Sequence, residues 1–167
     1  DPLELIIDMR RHLVGSGAVR GPSATTLQKL GRSGNPWGLP AEERMDWTEG
    51  LQVPTVDDQP DFDVLYWVGC AAAYDRRSRS TARAMVQLLQ AAGVRFAVLG
   101  ERERCTGESA SRMGEEFVFA ELAAHNVKEL SRPGVTRIVP HCPHRLHRPK
   151  HDYPNPCGHY HVVPPSQ

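Results

Sequence analysis

Val64-Leu65-Tyr66-Trp67-Val68-Gly69-Cys70 is the stretch on which the fold turns. Five consecutive apolar residues without polar alternation suit a strand buried on both faces, as in a parallel sheet covered by helices. A glycine stops the run and a cysteine follows it. Further along, Ser78 to Ala92 has helical spacing, with Ala82, Met85, Val86 and Leu89 on one face and Gly93 placed to end the helix. Val94 to Leu99 reads as a second strand. Glu115 to Leu130 reads as a second helix, with Phe119, Leu122, Ala123, Asn126, Val127 and Leu130 facing inward, and Val135 to Val139 as a third strand. His161-Val162-Val163 is placed as a fourth, edge strand. Strands alternating with helices predict an α/β fold: a small parallel sheet with βα crossovers.

Upstream of Val64 the character changes. Residues 1–60 read as an irregular helical arm and linker, and residues 61–167 as the cysteine-bearing domain. Leu3, Ile6, Ile7, Arg10 and Leu13 fit one helix face, with Asp1-Pro2 at its start and Gly15-Ser16-Gly17 at its end. That glycine pair is a turn, because no dinucleotide-binding fingerprint follows it. Gly31 to Pro40 reads as a loop, Trp37 and Trp47 as anchors of the arm on the core, and residues 53–63 as a linker.

Composition narrows the function classes. The chain has 167 residues, with 20 Lys+Arg against 20 Asp+Glu. A zero formal charge gives no global argument for nucleic acid. Arg76, Arg77, Arg79 and Arg83 cluster near a helix start without interleaved aromatics, so they read as a solvated face, with docking of an acidic redox partner as a guess. The 14 prolines and 14 glycines predict extended segments around a folded part. No apolar run reaches the length of a membrane helix. The chain starts Asp1-Pro2 and is read as an excised piece of a longer protein.

The cysteines carry the chemistry. Cys70 follows the first predicted strand, Cys105 the second and Cys142 the third, at near-equal spacing of about one strand–helix unit. All strand C-termini of a parallel sheet lie at one end, where open α/β folds take ligands. Three thiols distant in sequence are therefore predicted to converge. Thiolates are soft donors that select iron–sulfur clusters, zinc or copper(I). Gly69 and Gly107 beside them are read as room for backbone to approach inorganic sulfide, and N–H groups at the following helix starts as donors to cluster sulfurs. The bland alternative is three buried cysteines acting as small hydrophobes.

The segments Tyr66-Trp67-Val68-Gly69-Cys70-Ala71-Ala72-Ala73-Tyr74-Asp75, Gly100 to Gly114 around Cys105, His141-Cys142-Pro143-His144 and Asp152-Tyr153-Pro154 together resemble the cysteine-rich CCG domain of heterodisulfide reductase-related iron–sulfur oxidoreductases. Asp8-Met9-Arg10-Arg11 and Asn35-Pro36-Trp37-Gly38 extend the likeness upstream. The resemblance implies an electron-transfer module of a larger membrane-associated reductase. It implies an iron–sulfur cluster, of the 4Fe-4S kind, on Cys70, Cys105 and Cys142. It also implies a flavoprotein or other redox protein as donor and a quinone or disulfide as acceptor, both met through the parent protein. The expected location is the cytoplasmic, inner face of the cell membrane, with membrane contact only through other parent segments. The fragment alone is expected to be inactive.

The family pattern Cys-Pro-His-Cys reads Cys142-Pro143-His144-Arg145 here. Arginine cannot ligate a metal, although it can screen negative charge. Cys157 is a candidate fourth ligand if its Pro154-Asn155-Pro156-Cys157 loop folds back. A three-cysteine cluster, a cluster completed by Cys157 and a cluster-free domain remain the alternatives. His141, His144, His147, His151, His159 and His161, with Cys142 and Cys157, offer a further reading: a zinc-stabilised or degenerate metal-free interaction domain. Glu101, Glu103 and Glu108 flank Cys105, but no nucleophile–histidine arrangement identifies a hydrolase.

Overall fold

The structure of the protein, a computed structural model, describes residues 2–142, 153 and 160–164. Its centre is a sheet of β1 (Val64–Trp67), β2 (Phe96–Ala97), β3 (Arg137–Pro140) and β4 (His161–Val162). All pairs are parallel, in the order β2-β1-β3-β4. The apolar run that suggested a doubly covered strand is buried along all of β1. Successive side chains of a strand point to opposite faces. Val64, Tyr66 and Val68 accordingly join Phe96, Val98, Ala82 and Val86 in one core, while Leu65 and Trp67 join Ala97, Ala123, Leu130 and Ile138 in the other.

The chain leaves β1 through α3 (Cys70–Tyr74) and α4 (Arg76–Ala91) to reach β2. It then runs through a 3₁₀ turn (Gly100–Arg102), α5 (Glu108–Arg112) and α6 (Glu116–Leu130) to reach β3 on the other side of β1. Strand order thus reverses between β1 and β3, and the crevice beyond their carboxyl ends is where open α/β sheets bind ligands. Asp75 caps α4: its carboxylate accepts from Ser78 N at 2.9 Å and Ser78 Oγ at 3.0 Å, and these bonds hold its pKa below the usual carboxylate range. Gly93 ends the crossover as expected, at φ 67° with its N–H on Gln90 O. Ala82 and Val86 of α4, and Leu122, Ala123, Asn126 and Leu130 of α6, face inward as their spacing predicted.

Several expectations need correction. The second strand is shorter than Val94–Leu99: only Phe96 and Ala97 pair with β1. Residues 53–63 are no linker. Thr55 bridges Val98 in parallel, Val56 N donates to Val98 O at 2.9 Å, Val98 N donates to Pro54 O at 3.0 Å, and Val56 and Phe62 are buried. Pro54 lacks a donor, but its carbonyl is enough to extend the sheet edge.

The arm is also more regular than its sequence suggested. It holds α1 (Pro2–Gly15), α2 (Gly21–Ser33) and a 3₁₀ helix (Glu42–Thr48). The unanticipated α2 has a proline in its first turn and ends at Gly34, φ 64°. Its Gly21-Pro22 start, two threonines and Gly31, all poor helix formers, hid it; it is fixed by burial of Leu27 and Leu30 against Ala110 and Leu122. Trp47 is only 2% exposed and anchors the arm, whereas Trp37 is 38% exposed and leans on the Tyr74 ring, centroids 6.0 Å apart. The basic start of α4 is only partly a solvated face. Arg79 Nε donates to Ala73 O of α3, and Arg83 Nη1 donates to Trp47 O and Glu49 O, tying α4 to the arm. Arg76 and Arg77 are not buried.

Candidate metal centre

Cys70 opens α3 three residues after the end of β1, with Gly69 at φ 94° turning the chain into it. Cys142 lies two residues beyond β3. Trp67 and Pro140, the last residues of the two strands, are register partners, and His141 N donates to Trp67 O at 2.9 Å. A hydrogen bond of 2.6 Å joins Tyr66 Oη to His141 Nδ1 just before Cys142. Cys70 and Cys142 therefore flank the point where strand order reverses. Cys105 follows the 3₁₀ turn after β2; its N–H donates to Gly34 O at 2.8 Å and it packs against the core cluster that contains Cys70. All three thiols stand beyond the carboxyl ends of the strands, and none is joined to another by a disulfide. Cys157, His144, Arg145, His147, His151 and His159 lie outside the described residues, so the fourth-ligand and zinc expectations fall there too.

A buried charged network adjoins Cys70 that the sequence did not announce. Arg44, 3% exposed, donates from Nη2 to Cys70 Sγ at 3.3 Å and from Nη1 to Glu103 Oε1 at 3.2 Å. The same Glu103 oxygen accepts the Gly69 N–H at 2.6 Å. The Arg44 guanidinium also sits 5.1 Å from the centroid of the Tyr74 ring. Burial works against the charged arginine, but the charges of Cys70 and Glu103 outweigh it and hold its proton more firmly than usual. Burial likewise pushes the Tyr74 phenol up, against the opposing pull of Arg44. Glu103 was visible only as one of three acids near Cys105. It is engaged with Arg44 and Gly69, and Glu108 is paired with Arg112 at 2.6 Å. No sequence signal marks Arg44, which sits among ordinary charged residues of the 3₁₀ helix.

A second network fixes the Cys105 loop. Asn126 Nδ2 of α6 donates to Cys105 O at 2.8 Å and to Tyr153 Oη at 3.1 Å, and Tyr153 Oη donates to Thr106 O at 3.1 Å. Gly107 serves differently from the expectation that it makes room for sulfide. At φ 80°, a side chain on it would meet Phe119 Cδ2 at 2.9 Å, so its role is close packing on α6. A cleft of about 320 Å³ opens beside these networks, lined in part by Arg32, Arg44, Tyr74, Glu103 and Arg104.

This donor set fits an iron–sulfur cluster. Three soft thiols follow three strands at one sheet end, and a buried cation touches one sulfur, where it would offset the negative charge of a thiolate in a low-dielectric setting. Among the described residues, no three His, Cys, Asp or Glu side chains are grouped to hold a single metal ion. A polynuclear core gives each thiolate its own iron and asks for wider spacing than one ion does. Among the described residues, no helix is long and apolar enough to cross a membrane.

Comparison with known proteins agrees with this chemistry. Residues 64–144 match the family model described as a cysteine-rich domain, CCG. The chain is 37% identical over 161 residues to the probable iron-sulfur-binding oxidoreductase FadF of Bacillus subtilis, covering 92% of this chain and 23% of the relative. It is 34% identical over 163 residues to the EtfAB:quinone oxidoreductase of Syntrophomonas wolfei, covering 94% and 23%. It is 32% identical over 160 residues to one subunit of the dihydromethanophenazine:CoB--CoM heterodisulfide reductase of Methanosarcina mazei, covering 93% and 38%. The chain thus spans well under half the length of these relatives. No solved structure matches it.

Proposed function

Because residues 64–144 match the cysteine-rich CCG domain family model, we propose that the chain is the electron-transfer module of an iron–sulfur oxidoreductase. Cys70, Cys105 and Cys142 supply the thiolate ligands, with Cys157 as the candidate fourth. The bound group, a 4Fe-4S cluster in this reading, takes up and releases the electron. The chain's own residues do the rest. β1 and β3 set Cys70 and Cys142 on either side of one crevice, Asn126 and Tyr153 hold the loop that carries Cys105, and Arg44 with Glu103 fixes the charge around Cys70. Residues 61–167 are the cysteine-bearing unit in this reading, and residues 1–60 the arm that delivers Arg44.

The observation that carries the proposal is the common placement of three distant cysteines at the carboxyl edge of the sheet, beside a buried cation. The parent protein's partners are inferred more broadly: a flavoprotein or similar donor and a quinone or disulfide acceptor, in line with the names of the EtfAB:quinone and heterodisulfide relatives. The proposed location is the inner face of the cell membrane, through other segments of the parent protein.

Anaerobic reconstitution with iron and sulfide tests the site. The protein is expected to turn brown, with broad visible absorption and stoichiometric iron. Cys70→Ser, Cys105→Ser and Cys142→Ser should each lower iron content, whereas unchanged iron in all three rejects these ligands. Zinc uptake in place of iron would favour a zinc-stabilised interaction domain.

A further inference from the structure

The buried arginine at Cys70 belongs to neither the cysteine pattern nor the sheet. A guanidinium taken out of water is costly unless its partners are well placed. Here one fork of Arg44 reaches Glu103 and the other reaches a sulfur, while Nε has no hydrogen-bond partner among the described residues. Glu103 is pinned in turn by the Gly69 N–H, the peptide next to Cys70. The arginine is thus aimed at the sulfur by a counter-ion that is itself anchored to the ligand loop.

We propose that Arg44 is a positioning residue that raises the reduction potential of the proposed cluster by donating to the Cys70 sulfur, with Glu103 as the opposing charge. This inference rests on the cluster reading above. Reduction adds one electron, and therefore one negative charge, to the site. Arg44 stays cationic throughout because a guanidinium does not lose its proton in proteins. A fixed positive charge and a hydrogen bond at a ligand sulfur stabilise the more negative, reduced form. The effect is large for its distance because the group is almost wholly screened from water. Glu103 acts with the opposite sign, since its negative charge at the same loop favours the oxidised form. The device uses a different arginine from Arg145, the cation that the sequence pattern brings to notice.

The test is a dithionite titration with redox mediators, followed by visible and EPR spectra, on reconstituted protein. Arg44→Met is expected to move the midpoint to more negative values and Glu103→Gln to more positive ones. Arg44→Lys, which keeps the charge but cannot reach both partners with a planar fork, should lie between wild type and Arg44→Met. If Arg44→Met does not fold, the paired variant Arg44→Met/Glu103→Gln removes both charges, and its midpoint should lie below that of Glu103→Gln alone. Opposite shifts for the two charges are what a merely structural role would not produce. Wild type that takes up no iron rejects the cluster reading itself. Wild type that loads normally, with Arg44 and Glu103 variants all at the wild-type midpoint, rejects the role of Arg44 alone. Lower iron content or lower melting temperature without a shift in midpoint rejects it as well.

Discussion

At Gly107 the chain turns through φ 80° directly above α6, and a Cβ there would sit 2.9 Å from Phe119 Cδ2 and 3.3 Å from Phe119 Cα. The second contact is with backbone, so the neighbour cannot simply rotate away. Gly107→Ala is therefore expected to destabilise the protein by about 1–3 kcal/mol from backbone strain alone, read as a lower midpoint in urea. The sequence placed a glycine beside Cys105 but attached it to the wrong partner, because which atoms crowd a glycine depends on the helix that follows. Arg44 and Glu103 make the same point more sharply. Each is one charged residue among many in the sequence, and only their burial against Gly69 and Cys70 distinguishes them.

Among the elements, α6 has two tasks: it covers one face of the sheet through Ala123 and Leu130, and it holds the Cys105 loop through Asn126. Helical spacing put Asn126 on the inward face, but a buried amide reads there as an anomaly until its partners are seen. Asn126→Ala removes the amide that donates to the Cys105 carbonyl and to the Tyr153 hydroxyl. Loss of these two hydrogen bonds is expected to destabilise the fold by about 1–3 kcal/mol, together with lower iron retention after reconstitution than wild type. Normal stability and normal iron content in this variant would remove Asn126 from the support of the loop. The helices α4 and α6 were legible because each is long and places several apolar residues at helical spacing. The short α3 and α5, and α2 with its Gly, Pro and Thr residues, were not. Five residues give too little periodicity, and α2 depends on Leu27 and Leu30 meeting Ala110 and Leu122 from far along the chain.

Across the molecule as a whole, charge balance is local rather than global. Asp57, in the segment that extends the sheet edge, accepts from Arg102 at 2.7 Å and from Arg132 at 3.0 Å, joining three separate parts of the chain. The hydrogen bond from Arg102 is the main reason its pKa lies below the ordinary carboxylate value. A carboxylate whose folded-state pKa is depressed adds stability that is full above its unfolded value, near about 3.9. That stability is lost as pH falls through the lower folded value. The melting temperature of the cluster-free protein should therefore decline as acid protonates Asp57, and Asp57→Asn should flatten that decline. Because the pair is exposed, added salt should weaken the same effect. An unchanged pH profile in Asp57→Asn would assign the acid sensitivity to other carboxylates.

What the amino-acid order determined unaided was the alternation of strand and helix, with Cys70 and Cys142 just past strands and Cys105 in the segment that follows another. Both are consequences of periodicity along the chain, and a parallel sheet then brings those positions to one edge without further information. The reversal of strand order between β1 and β3, the capture of residues 54–56 at the sheet edge and the pairing of Arg44 with Cys70 and Glu103 were decided only on folding. Each joins segments tens of residues apart through contacts whose strength comes from exclusion of water, and exclusion of water is a property of the packed molecule rather than of any stretch within it.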